Sequence, residues 1–136
     1  MSVVVDTGVF VSAADTDEPR HADCAGQLTS HRGELVTTAA VVVETAWLIE
    51  DRLGPAAEGR FLTMVINDVH VVDLTRVDYL RCIELIDRYA DLGLGLVDAS
   101  IIAVAERHGH TTIATLNHRD FRVVRPAHCD TFELVP

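Results

Sequence analysis

Val3, Val4 and Val5 lead directly into Asp6 and Thr7, so an unbroken β-branched run ends on a carboxylate. A strand without polar alternation has no face to offer water and belongs inside a parallel sheet covered on both sides. Parallel strands need crossovers, usually helical and right-handed, which commits the chain to an α/β fold. Asp6 then stands at the carboxyl end of its strand, the edge where open α/β sheets bind ligands. An Asp at this point also suits the turn into a helix as its cap, and the residues alone leave both roles open.

Periodicity and turn signals predict the rest. Thr7-Gly8 reads as a turn and Val9 to Ala14 as a short helix, broken by Asp15-Thr16-Asp17-Glu18-Pro19. A helix over about 20–31 ends at Gly33, and a weak strand is expected over 35–37. Thr37 or Thr38 can cap a helix from Ala39 to Leu53, which Gly54-Pro55 stops, and a further helix covers 56–66. A strand over 70–74 precedes a helix capped by Thr75 and running to about 90. The Gly-interrupted stretch 92–96 approaches a helix that opens at Val97-Asp98 and closes at Gly109. Strands over 111–116, 123–124 and 132–135 complete the chain. The alternation predicts one domain, 1–136, with three layers, α/β/α, around a central, mostly parallel sheet.

Charge narrows the function. The 11 basic residues are all Arg, against 21 acidic ones, for a net charge of −10. That balance argues against bulk adhesion to nucleic acid or membrane, so any nucleic-acid contact is local. Without Lys the chain has no P-loop lysine, no Schiff base and no receiver-type lysine beside an aspartate. An aspartate-based phosphatase would want a second Asp two residues after Asp6, where Gly8 stands. Cys24, Cys82 and Cys129 are odd in number and widely spaced, which indicates neither a disulfide framework nor a zinc site. No apolar run approaches a membrane span and no signal-type segment opens the chain, so a cytoplasmic location is expected.

Two more carboxylates sit among apolar neighbours. Glu44 has Ala40, Val41, Trp47 and Leu48 at helical spacing, and Asp98 has Leu94, Ile101 and Ile102. Both are therefore expected to face inward. A helix-capping role is open to Asp98, and a buried, hydrogen-bonded Glu is the plainer alternative for Glu44. If these acids converge with Asp6 they repel, at about 4 kcal/mol per pair for about 4 Å and an effective dielectric of about 20. Protonation or a divalent cation relieves that repulsion, and all-oxygen ligands favour Mg2+ or Mn2+ over zinc. Such a centre suits phosphodiester hydrolysis.

Asp6-Thr7 after an apolar strand, Glu44 on the third helix, Asp98-Ala99 opening a later one, and Thr115-Leu116-Asn117-His118-Arg119-Asp120-Phe121 together resemble the PIN domain. Within that family the match is to the small bacterial VapC-type toxins. The resemblance implies a Mg2+- or Mn2+-dependent endoribonuclease acting on RNA, usually a homodimer, and inhibited by a small antitoxin inserted near the active site. It implies metal-holding roles for Asp6, Glu44 and Asp98, and hydroxyls at the site from Thr7 and Thr115.

The chain departs from the family where a fourth acid is usual: Asn117 stands there, with Asp120 three residues on. Either Asn117 supplies a carbonyl ligand or Asp120 takes the position. A scaffold weakened by this change, binding RNA or protein without cutting, is the alternative function. Arg119, Arg122 and Arg125 form the one local basic run and suit RNA phosphates, or else a solvated loop. His108, His110, His118 and His128 make no recognisable ligand set and read as surface residues.

Overall fold

The computed structural model describes residues 1–136. Five strands, β1 (Val3–Val5), β2 (Leu35–Thr38), β3 (Val69–Val72), β4 (Thr112–Ala114) and β5 (Glu133–Val135), alternate with seven helices. The helices are α1 (Thr7–Ala14), α2 (His21–Ser30), α3 (Ala39–Leu53), α4 (Pro55–Asp68), α5 (Arg76–Arg88), α6 (Leu96–His108) and α7 (His118–Val123), with a 3-10 turn at Ala90–Leu92. The sheet order is β3-β2-β1-β4-β5 and every pairing is parallel.

The valine run explains the centre of this sheet. Val3, Val4 and Val5 are wholly buried between β2 and β4, each contributing about 1.5–3 kcal/mol through burial. The chain moves outward from β1 through β2 to β3, then crosses back to β4 on the other side of β1. Right-handed crossovers in opposite directions place α1–α4 on one face and the later helices on the other. Strand order therefore reverses between β1 and β4, and their carboxyl ends open the crevice where such folds bind ligands.

Local chemistry sets the helix ends. Gly54 adopts φ of 88° between α3 and α4, a conformation costly to any side chain, and Pro55 starts α4 without needing an N–H partner. Thr38 caps α3 by accepting from the Val41 N–H at 3.1 Å. Its hydroxyl also meets Ser100 Oγ at 2.9 Å, and Ser100 donates to the Val97 carbonyl at 2.6 Å. One proton order satisfies the whole relay: Val41 N–H to Thr38, Thr38 to Ser100, Ser100 to Val97. The start of α3 is thereby fastened to the start of α6. A neighbouring link runs from Thr37 Oγ1 to the Val5 carbonyl at 2.8 Å, tying the ends of β2 and β1.

The expected strand at 123–124 is not formed. Val123 ends helix α7, which Asn117 caps and the buried Phe121 anchors, and Val124 follows it as extended backbone outside the sheet. The two valines suggested a strand, but the Asn117 cap and the acid in the first turn decided the local structure. The third strand also lies slightly earlier than predicted, at Val69–Val72.

Helices α5 and α6 are clamped by charge. Asp78 and Thr75 form a reciprocal capping box, and Arg107 reaches the Asp78 carboxylate at 2.8 Å. Arg81 grips Glu106 with two parallel bonds of 2.8 and 3.0 Å, and Glu106 also accepts from the Ala127 N–H. Burial alone would raise the Asp78 pKa, but bonds from Arg107 and Thr75 hold its carboxyl below the usual range. Because the folded pKa is depressed, its contribution is complete above the unfolded carboxylate range and disappears as pH falls through the folded value. Asp78→Ala is expected to cost about 2–4 kcal/mol in urea unfolding at pH 7. The deficit should shrink as the wild type is titrated below about pH 4. An equal deficit at every pH would show that charge is not what Asp78 contributes.

Candidate active site

Asp6 follows β1 at the crevice, and its N–H continues the parallel ladder by donating to the Ala114 carbonyl at 2.9 Å. The two roles left open by the sequence coincide. Asp6 caps α1, its Oδ1 accepting from the Thr7 N–H at 2.7 Å, while Oδ2 accepts from the Thr115 hydroxyl at 2.8 Å. Thr115 stands just past β4, so the carboxylate is held from both strands that flank the crevice. Burial pushes the Asp6 pKa up, the Thr115 and Thr7 bonds oppose that, and the charge of Glu44 adds to the rise.

Glu44 acts on Asp6 by its charge, and Asp98 feels both of them together with Asp120. Asp98 lies in the first turn of α6, half-buried, with its pKa pushed up to about 6 by burial and then by the charges of Asp6, Glu44 and Asp120. Asp98 is thus the group on which the charges of the other three acids singled out by the sequence act. Their approach to the core differs from expectation. The buried face of α3 is Val41, Thr45 and Ile49, whereas Glu44 is half-buried on its flank and Trp47 is open to solvent. A stripe of apolar neighbours marked a boundary, not the centre of the core.

Thr115 and Asn117 support the acids. The Thr115 hydroxyl also accepts from the Asn117 N–H at 3.0 Å. Asn117 caps α7 with Oδ1 and donates Nδ2 to Asp120 Oδ2 at 3.0 Å. Its carbonyl oxygen is therefore engaged in the cap, and its amide steadies Asp120. Arg119 is almost fully exposed on the rim, with Nε 3.8 Å from Asp120. Arg125, also exposed, bonds the carbonyls of Arg122, Val123 and Val124 through Nη1, closing the end of α7. His108 and His110 stack on one another, and His128 Nε2 bonds the His110 carbonyl, so His110 and His128 are half-buried packing groups and not simple surface residues.

The donor set fits a hard divalent cation. Asp6, Glu44 and Asp98 make no ion pair with any Arg, so their charge is uncompensated by the chain itself. The buried Thr7 hydroxyl, next to Asp6, has no hydrogen-bond partner. As arranged, no three acidic or imidazole side chains meet closely enough to ligate one ion, so full ligation requires side-chain movement. A separate apolar hollow of about 410 Å3 between α1, α2 and α4 holds Phe10, Phe61 and Met64, and none of the four acids lines it.

The PIN domain family model matches residues 3–125. Ribonuclease VapC26 of Mycobacterium tuberculosis is 27% identical over 135 residues, covering 98% of this chain and 100% of that protein. The crystal structure of M. tuberculosis VapC20, a toxin that cleaves the sarcin-ricin loop, has a TM-score of 0.76 at 23% identity. That match covers 82% of this chain and 87% of the other. VapBC2 of Rickettsia felis, solved with a DNA fragment from its promoter, matches over 100% of both chains with a TM-score of 0.73 and 16% identity.

A raised pKa means that the folded protein binds the Asp98 proton more tightly than the unfolded chain does. Ionised Asp98 therefore destabilises the metal-free fold, and that cost grows as pH rises from about 4 through about 6. Asp98→Asn is expected to stabilise the chelator-treated protein at pH 7 by about 1 kcal/mol, after a discount for solvent screening. In a thermal melt this is a rise of about 2–5 °C. A lowered melting temperature in chelator would refute mutual repulsion at this site.

Proposed function

The chain belongs to the PIN-domain family, and from that premise we propose that it is a divalent-metal-dependent endoribonuclease, the toxin of a toxin–antitoxin pair. The observation that carries this reading is that the charges of Asp6, Glu44 and Asp120 all bear on Asp98, while no Arg pairs with Asp6, Glu44 or Asp98. The near-full-length likeness to a ribonuclease supports the same activity.

Mg2+ or Mn2+, when bound, would lower the pKa of water to make a nucleophile and offset charge on the phosphodiester. Asp6, Glu44 and Asp98 are the residues that would hold it, with Asp120 completing the set. Thr115 and the Thr7 N–H fix both oxygens of Asp6, so this acid is oriented before any ligand arrives. Asn117 acts through Asp120 by orienting its carboxylate. The Asn at this position therefore keeps an acid in place, and the departure from the family pattern does not remove the site's charge. Catalysis on this plan is positioning and charge neutralisation. Arg119, exposed on the rim, is the residue assigned to a substrate phosphate.

The partner is a small antitoxin, in keeping with neighbours solved as toxin–antitoxin complexes. An acidic cleft on a chain of net charge −10 accepts a basic segment, whose Arg or Lys would replace the cation and stop the reaction. The active form is proposed as a cytoplasmic homodimer, and no helix is long and apolar enough to cross a membrane.

Purified protein is expected to cut end-labelled total RNA into discrete fragments with Mg2+ or Mn2+ and not with chelator. Asp98→Asn should reduce the rate at least about 100-fold. Cleavage that survives both chelator and that substitution would overturn the reading. Arg119→Ala should weaken RNA binding and reduce the slope of log affinity against log salt by about 0.7, the value for one phosphate contact on a single strand. An unchanged slope would remove Arg119 from the interface.

A further inference from the structure

The amino end of β4, opposite the edge that carries the acids, is crowded with imidazoles. His108 ends α6 and His110 follows it across Gly109, their rings stacked with centroids 5.7 Å apart and planes at 16°. His128, in the segment before β5, donates from Nε2 to the His110 carbonyl at 2.6 Å, while its Nδ1 is buried without a partner. The same ring lies 5.9 Å from that of the buried Phe132, which leads into β5.

β5 depends on this anchorage. It is a three-residue strand at the edge of the sheet, paired with β4 alone. So short an edge strand has few bonds of its own to hold it. The Glu133 N–H donates to the Thr111 carbonyl at 2.9 Å, and beyond the other end of the pairing the Val135 carbonyl accepts from the Thr115 N–H at 2.8 Å. Thr115 is the residue whose hydroxyl fixes Asp6. Contacts thus run from His110 through His128, Phe132 and β5 to the acid site.

Protonation is disfavoured in this cluster. Burial, and then the charges of His108, His128 and His70 of β3, hold the His110 imidazole below its usual pKa. Glu106 bears on His128, but Arg81 and the Ala127 N–H already occupy its carboxylate. The exposed Asp130 bears on Cys129, whose Sγ is 3.8 Å from His128 Nε2. Burial, with Asp130 and Glu106, pushes that thiol up, so it stays uncharged. Each proton taken up by the stacked pair therefore adds a cation that faces other imidazoles.

We propose that His108, His110 and His128 form an acid-sensitive latch: uncharged, they close β5 onto β4, and on taking up protons they release it and with it the backbone support of Thr115. The device does not depend on what the acid site cuts. Because the closed form binds the His110 proton less tightly than an opened chain does, the latch is complete above the ordinary His value of about 6.5 and weakens as pH falls below it. Asp98 takes up its proton over an overlapping range with the opposite sign, relieving repulsion in the metal-free fold, so its titration does not release β5.

Native-state hydrogen exchange on the metal-free protein reads the latch directly. Between about pH 7.5 and about pH 5.5, protection factors of the Glu133 and Thr115 amides, corrected for the intrinsic effect of pH, are expected to fall about tenfold. That of Val3, whose N–H bonds the Glu34 carbonyl on the β2 side of the sheet, should hold. His110→Gln should remove most of the fall, and His108→Asn, at an exposed position, should reduce it. Wild-type protection of Glu133 and Thr115 that is the same at both pH values would overturn the latch, whether or not either variant folds. An equal fall at Val3 would assign the effect to global loss of stability, and an undiminished fall in both variants would assign it to other groups; each outcome overturns the latch as well. RNA cleavage plays no part in the readout, so failure here leaves the nuclease reading standing.

Discussion

A relay of hydroxyl hydrogen bonds holds together two helices whose acidic residues repel. Thr38 and Ser100 join the start of α3, which carries Glu44, to the start of α6, which carries Asp98. Thr37 and Thr115 do the same for the strands, one tying β2 to β1 and the other spanning β4 to Asp6. All four are wholly buried, where a neutral hydrogen bond is electrostatically stronger than in water and an unmade one is costly. Neutral hydroxyls are also the right material for this task. A buried Arg or Lys would hold the elements as well but would neutralise the charge of the acids.

The site is thus built against the stability of the fold. Burial and three neighbouring charges push Asp98 to about 6, and burial raises Asp6 against the bonds from Thr115 and Thr7, with the charge of Glu44 adding to the rise. The surroundings offset that cost with features distant from chemistry: the wholly apolar β1, the Asp78–Arg107 cap and the two-pronged Arg81–Glu106 pair. This division is common where function requires like charges in one place, since the acids are individually unfavourable and the scaffold around them is not.

Several sequence expectations failed where a local preference met a stronger tertiary or capping effect. Val123-Val124 has the composition of a strand, yet the Asn117 cap and the Phe121 anchor draw Val123 into α7. Arg125 of the basic run also bonds the carbonyls at the end of α7 through Nη1, a local role that its sequence position did not show. Asp78, on the helix that Thr75 caps, is 2% exposed and paired with an Arg 29 residues away. The Thr75-to-Asp78 spacing was a legible sign of a capping box; the partner Arg107 was not, because no local pattern encodes a long-range ion pair.

The sequence by itself determined the class of fold and singled out the acids as candidates. Three consecutive valines tolerate only a doubly covered strand, and carboxylates at apolar-flanked positions have few roles other than ligation or hydrogen bonding. Helix and strand order then followed from periodicity and caps, which are local properties. Tertiary structure decided what depends on distance across the chain: that β4 returns beside β1, that Thr115 reaches Asp6 from 109 residues away, and that Asn117 serves Asp120 through its amide. It also decided which side of α3 faces water, leaving Trp47 open and Glu44 on the boundary. Helical spacing shows which residues share a face, but only the packing of neighbouring elements chooses the face that is buried.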